Sequence, residues 1–212
     1  MKLFFRTKCF LWKEQGRVVL RYYSSLKFAF LDLALGACTL FFNPYRICRK
    51  FLEKRGETDV HAYGETPLSA FQTLAASAEL TAQDHYVELG SGRGKTCLWA
   101  AHFVGCTVEG FEWVPLFVRL SETLARLFHL PAQFHCQSMQ DVDLRKATVV
   151  YLYAFDPPRS LLTMQPGARL ITISEPFDLD AFQLIRTVPI AFPWGDTEAY
   201  IQKRKVPIDK LA

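Results

Sequence analysis

The chain is predicted to fold as an α/β protein: a doubly wound, mostly parallel, seven-stranded sheet of Rossmann type, closed by an antiparallel C-terminal hairpin and preceded by a helical extension. Three observations carry that prediction. From about residue 57, short apolar strand runs alternate with one-sided helices. A Gly90-Ser91-Gly92-Arg93-Gly94 turn joins the first strand to the next helix. The last two strand runs are too close together for a crossover helix to separate them.

Thr66 before Pro67, with Leu68, Phe71, Leu74, Ala75 and Ala78 at helical spacing, predicts a helix over 66–80 capped by the threonine. His85 to Leu89 is the first strand, and Cys97, Leu98, Ala101 and Val104 continue as a helix after the glycine turn. Thr107 to Glu112 is the second strand, followed by a helix opening at Pro115 with its apolar face on Leu116, Phe117, Leu120, Leu124, Leu127 and Phe128. Ala132 to Cys136 is the third strand, Ala147 to Phe155 the fourth and Ala168 to Ser174 the fifth. The last two are apolar enough to be buried on both faces. Gln183 to Ala191 and Ala199 to Lys203 form the hairpin.

Half of the 212 residues are hydrophobic and 22% are charged, which excludes a disordered, collagenous or coiled-coil chain. The net charge of +4 hides a split. Residues 1–55 hold 12 Lys and Arg against 3 Asp and Glu, and the remainder holds 13 against 18. The boundary is placed at the charged stretch ending in Gly56, dividing a basic, partly apolar extension (1–56) from a catalytic or binding body (57–212). The opening MKLFFRTKCFLW is broken by Arg6 and Lys8, which argues against a secretory signal. The run Leu26 to Phe42 contains Lys27 and Asp32 and falls short of the ~20 residues of a bilayer span. Packing on the body, lying on a membrane surface and spanning a membrane all stand as readings of it, and residues 1–55 as a whole are expected to dock on an anionic membrane surface or an acidic partner. Six cysteines without a C-x-x-C pair, and five histidines without ligand spacing, point to a reducing cytoplasm and to no metal site.

Gly90, Gly92 and Gly94 let the backbone turn tightly and approach a ligand, although an ordinary turn looks alike. Two carboxylates sharpen the reading. Glu88, two residues before the first glycine, gains nothing beside a diphosphate but suits a cationic ligand. Glu112 ends the second strand, where a carboxylate can accept both ribose hydroxyls. The P-loop pattern is absent. Ribose, adenine and positive charge together describe S-adenosylmethionine.

Tyr63-Gly64-Glu65-Thr66, Val87-Glu88-Leu89-Gly90-Ser91-Gly92-Arg93-Gly94 and Glu112 resemble successive motifs of the class I methyltransferases that methylate lysine without a SET domain, the disruptor-of-telomeric-silencing (Dot) family. The resemblance covers residues 61–205. It continues through Ala147 to Phe155, Gly167 to Ile171 with Glu175-Pro176-Phe177, and the pair Trp194 and Tyr200. The layout is also similar to the small ATP-synthase c-subunit-type lysine methyltransferases. Tyr153 and Ala154 stand where the Dot family has an asparagine pair.

The resemblance implies that Glu65 and Thr66 touch the methionine end of the cofactor, while Glu88 and the glycine backbone hold its amino group and carboxylate. Glu112 would take the ribose, and Ser138 and Met139 the adenine, with Tyr63, Ser91, Lys95 and Trp113 completing the set. Thr66 as a plain cap and Met139 as core remain alternatives. Acceptor-channel candidates are Tyr153, Phe155, Asp156, Trp194 and Tyr200. Asp156-Pro157-Pro158 also resembles the Asp-Pro-Pro-Tyr of enzymes that methylate exocyclic amines, with Arg159 in place of the stacking aromatic. The implied activity is methyl transfer to a protein lysine. A nucleic-acid or small-molecule amine, or cofactor binding without transfer, is the alternative.

Overall fold

A computed structural model describes residues 2–61, 63–154 and 156–206. Three helices come first: α1 (Lys2–Tyr22), α2 (Leu26–Phe41) and α3 (Pro44–Arg55). Local chemistry sets their limits. The Ser25 and Asn43 side chains accept the backbone N–H groups of Phe28 and Arg46, Pro44 takes the first turn of α3, and Gly56 closes it in the left-handed region.

The body follows as α4 (Leu68–Ser77), β1 (His85–Leu89), α5 (Lys95–Trp99), β2 (Thr107–Glu112), α6 (Pro115–Leu127), β3 (Ala132–Cys136), β4 (Val149–Leu152), β5 (Arg169–Ile173), β6 (Phe182–Phe192) and β7 (Gly195–Arg204). The seven strands lie in the order β3-β2-β1-β4-β5-β7-β6. β1 to β5 run parallel, and β7 enters antiparallel between β5 and β6. Pro189 lacks an N–H and sits on the edge strand β6, where that donor is dispensable. The predicted sheet, its parallel core and its antiparallel hairpin are therefore present.

The two faces of the sheet are covered differently. α4, α5 and α6 pack on one face, with Phe71, Leu74, Leu98, Val118 and Leu124 against Tyr86, Val108, Tyr151 and Ile171. The crossovers on the other face are short 3-10 turns, Met139–Asp141 and Arg159–Thr163. Their neighbourhood closes a second core of Val87, Val150, Leu170, Leu144, Leu161 and Met164.

Several boundaries differ from the sequence reading, β7 among them, which starts at Gly195, four residues before Ala199. α4 starts at Leu68 with Pro67 at its cap position and no side-chain cap of its own. Instead, Glu14 of α1 accepts both the N–H and the hydroxyl of Ser69, at 2.9 and 2.6 Å, and so supplies a carboxylate to that helix end from across the chain. α4 ends at Ser77, where Glu79 turns to φ 54°. α5 continues as a π-turn, Ala100–Val104. β4 is only Val149–Leu152, pairing as far as Thr172 of β5 before the chain leaves the sheet.

α1 and α2 join the body's own core. Val18, Tyr22, Phe28, Leu31 and Leu35 are each at most 4% exposed and belong to the cluster beneath α4 and α5. No single described helix is long and apolar enough to cross a membrane.

Candidate functional site

The glycine turn lies at the C-terminal ends of β1 and β2, the edge where open α/β sheets bind ligands. The N–H groups of Gly90 and Ser91 both donate to the Phe111 carbonyl, at 2.8 and 2.9 Å, pinning the turn to β2. Gly94 is required by packing as well as by its φ of +71°, because a Cβ there would meet the Phe134 ring at 2.7 Å and the Ser121 hydroxyl at 2.8 Å. Gly90 differs: at φ +77° a Cβ would meet nothing within 4 Å, so this corner of the turn faces open space.

Glu112 braces the same turn. Its carboxylate accepts the Gly92 N–H and the Val114 N–H, each at 2.8 Å, one on each oxygen. Each oxygen keeps a further lone pair, the capacity needed for two hydroxyl donors. Burial raises its pKa against the lowering effect of those backbone bonds. Trp113 is half-buried beneath α3, with Phe51 edge-on at 5.8 Å and the Arg55 guanidinium 4.5 Å from its ring. Ser138 caps the 3-10 turn through Gln140, and Met139 packs on the second core.

Glu88 points into the protein instead of into the opening. It is 4% exposed, and its carboxylate accepts the hydroxyls of Thr96 (2.5 and 2.7 Å) and Tyr86 (3.0 Å) and the Cys97 thiol (3.1 Å). Burial pushes its pKa up to about 7. Glu65 is likewise engaged inside the protein. Arg93 grips it with two bonds, Nε to Oε1 at 2.6 Å and Nη2 to Oε2 at 2.9 Å, and Tyr63 donates its hydroxyl to the same carboxylate. Burial pushes the Glu65 pKa up and Arg93 pulls it down further, so it ends below its ordinary value.

The remaining guanidinium nitrogen of Arg93 donates to the Leu35 carbonyl of α2 at 2.9 Å. Lys95 pairs with Asp32 of α2 at 3.4 Å, and Asp32 also accepts from Tyr23 and Gln15. The extension is thus wired to the glycine turn, a connection the sequence reading did not contain. Thr66 shares a 2.5 Å hydrogen bond with the Tyr151 hydroxyl. The Tyr63 ring lies 3.5 Å from the position of a Cβ on Gly92 and covers the turn.

Of the acceptor candidates, Tyr153 and Trp194 come together. Phe192, missed in the sequence, lies between them, 5.3 Å from Tyr153 and stacked at 5.4 Å on Trp194. Tyr153 also stands 3.9 Å from a Cβ position on Gly64, so this wall borders the Tyr63–Thr66 loop. Tyr200 does not join it. Its strand neighbours Ala199 and Ile201 are in the helix-side core, so Tyr200 faces the opposite side, where its hydroxyl donates to Glu198 at 2.9 Å. Asp156 is exposed in the turn after β4, and Phe155 lies outside the described residues. A further cleft of about 480 Å³ opens on α3, lined by Tyr45, Arg46, Arg49, Lys50, Glu53 and His61, among others. Tyr45 meets Tyr63 edge-on at 5.1 Å, which puts this basic cleft next to the glycine turn.

Residues 50–151 match a family model described as histone methylation protein DOT1. Among solved structures, an RNA methyltransferase from Salinibacter ruber in complex with S-adenosyl-L-homocysteine superposes with a TM-score of 0.57 at 24% identity, covering 69% of this chain and 98% of that one. A SAM-dependent O-methyltransferase from Thermotoga maritima gives 0.54 at 14% identity, over 70% and 69%. TrmN from Thermus thermophilus gives 0.53 at 15%, over 63% and 48%. The fold is that of the class I methyltransferases. The chain also resembles the Dot family over the matched residues. No curated protein matches the chain.

S-adenosylmethionine is the cofactor this methyltransferase fold implies, and the residues present fit it. The Ser91 hydroxyl in the glycine turn is buried without a hydrogen-bond partner, Gly90 leaves room for close approach, and Glu112 keeps two acceptor positions. Among the described residues, no group of His, Cys, Asp or Glu is placed to hold a metal ion.

Proposed function

We propose that this chain transfers a methyl group from S-adenosylmethionine to a protein amine, the side chain of a lysine. The observation that carries the reading is the aromatic wall of Tyr153, Phe192 and Trp194 beside the Tyr63–Thr66 loop. The cofactor supplies a methyl group made electrophilic by its sulfonium. Transfer is an in-line displacement, so the chain's work is alignment and exclusion of water.

A lysine must present a neutral amine, yet its ordinary pKa is ~10.4. An apolar aromatic wall disfavours the ammonium form and lowers that barrier. Burial raises the Tyr153 pKa above its ordinary value. With the cofactor bound, the lysine nitrogen would take the methyl group as the sulfonium becomes a neutral thioether, and the surplus proton on nitrogen would leave to water. Glu112 and the glycine turn would hold the ribose and the amino-acid end without taking part in that step. The basic cleft at Arg46, Arg49 and Lys50 suits acidic residues flanking the target.

The test uses full-length protein with methyl-labelled S-adenosylmethionine and host-cell lysate, followed by parallel protease and nuclease digestion. Label recovered as methyllysine supports the reading. Label released by nuclease would establish a nucleic-acid acceptor in its place, and cofactor binding without any transfer would reduce the chain to a binding domain.

A further inference from the structure

α1 and α2 each carry two apolar faces, and only one of the two is buried. The inner faces supply Val18, Tyr22, Phe28, Leu31 and Leu35 to the core. On α2, Leu26, Phe30 and Leu33, spaced four and three residues apart, form a second stripe on the outward side, 56 to 71% exposed. On α1, Phe5, Trp12 and Leu20 lie opposite Val18 and are 71, 82 and 87% exposed. Apolar side chains this bare on two adjoining helices form a patch that soluble monomers rarely keep. Exposed Arg6, Lys13, Arg17 and Lys27 flank the two stripes.

We propose that this outer face of α1 and α2 is a docking surface for an anionic lipid bilayer, on which the helices lie in the plane of the interface. Charge selects that occupant. Residues 1–42, which hold both helices, carry 7 basic and 2 acidic residues, and the acidic pair, Glu14 and Asp32, is buried, so a second copy of the same face would bring like charges together, whereas anionic headgroups complement the flanks. Spanning is disfavoured by the inner faces: Asp32 is 5% exposed and bonded to Lys95, and Arg93 holds the Leu35 carbonyl, so α2 would have to leave the body to enter the membrane. Apolar side chains entering the headgroup boundary between basic flanks are the signature of an interfacial helix. Docking needs neither cofactor nor methyl acceptor and stands apart from the methyl-transfer reading.

Flotation of the full chain tests it, with vesicles of mixed phosphatidylcholine and phosphatidylglycerol and, in parallel, of phosphatidylcholine alone. The protein should float with the anionic vesicles and much less with the neutral ones. Trp12→Glu with Phe30→Glu should cut partitioning by about a hundredfold or more, at an unchanged melting temperature because both side chains are exposed. Lys13→Gln with Lys27→Gln, which leaves the apolar stripe intact, should cut it about tenfold or more, and added salt should mimic that loss. The proposal fails if the wild-type chain stays in the soluble fraction with anionic vesicles, or if the charge variants float as well as wild type. It fails equally if sedimentation finds a dimer that Trp12→Glu dissociates and no vesicle binding, because the face would then be a seam between copies.

Discussion

Replacing Arg93 with methionine tests whether the glycine turn is held by the pair with Glu65. Arg93 is 8% exposed and makes three bonds, two to the Glu65 carboxylate at 2.6 and 2.9 Å and one to the Leu35 carbonyl at 2.9 Å. Methionine fills similar space but leaves the carboxylate with the Tyr63 hydroxyl alone and the Leu35 carbonyl with only its bond within α2. Removing one member of a buried ion pair costs about 3–5 kcal/mol, and the Glu65 side chain keeps 29% of its exposure, so the low end, about 3 kcal/mol, applies. For a chain of this size that is a drop of roughly 6–12 °C in melting temperature. pH gives an independent check. Glu65 titrates below its ordinary value in the folded protein, so the stabilisation from the pair is complete above the ordinary carboxylate pKa and is lost as pH falls through the lowered one. The gap between Arg93→Met and wild type should therefore narrow in acid. Urea unfolding of wild type, Arg93→Met, Glu65→Gln and the double variant measures both the loss and the coupling. A loss below about 1 kcal/mol at neutral pH would refute the reasoning, because it would equate the pair with an exposed surface bridge.

Burial raises the Glu88 pKa to about 7, so the folded protein retains a proton the unfolded chain has released, and stability falls as pH rises from the ordinary carboxylate range to that value. Glu88→Gln should remove that slope and gain up to about 3 kcal/mol in alkaline solution, and an unchanged pH profile in denaturant titration would show that Glu88 is ionised throughout. Glu112→Ala should weaken S-adenosylmethionine binding about ten- to a hundredfold by calorimetry, since charge-assisted bonds to two hydroxyls are lost; equal affinity would remove the ribose role. Trp194→Ala should lower turnover more than about tenfold while Tyr200→Ala leaves it near wild type, and the reverse order would move the acceptor path to the other sheet face. Deleting residues 1–56 uncovers the core beneath Tyr22, Phe28, Leu31 and Leu35, at about 1.5–3 kcal/mol per side chain. The shortened chain should aggregate or melt far below the full one, and a soluble, equally stable product would contradict the shared core.

Much of the fold was legible because its signals are local. The runs at His85–Leu89, Thr107–Glu112 and Ala132–Cys136 are the strands themselves, bounded by turns that glycine and proline mark. The antiparallel hairpin followed from the short spacing between its strands. Phe192 was readable and missed: Val188, Ile190 and Phe192 alternate on the buried side of β6, and the strand period places Phe192 in the core next to Trp194. The same period applied to Ala199 and Ile201 separates Tyr200 from that wall. What no local pattern carries is the set of contacts between distant residues. Glu14 at Ser69, Asp32 at Lys95 and the Leu35 carbonyl at Arg93 join segments 55 to 63 residues apart, and the capping role assigned to Thr66 went to a carboxylate from another helix.

Arg93 explains why the extension cannot be a loose appendage. An arginine between two glycines of this turn places a permanent charge in a buried setting, and such a charge is tolerated only when its hydrogen-bond donors are satisfied. Glu65 balances the charge but occupies two of the donors, and the third nitrogen needs a carbonyl from a segment lying over the turn. α2 supplies it through Leu35, and it can hold that position because Phe28, Leu31 and Leu35 anchor it in the core and Asp32 fixes it to Lys95. α2, which carries one of the two exposed apolar stripes, is thus also the helix that lies against the glycine turn.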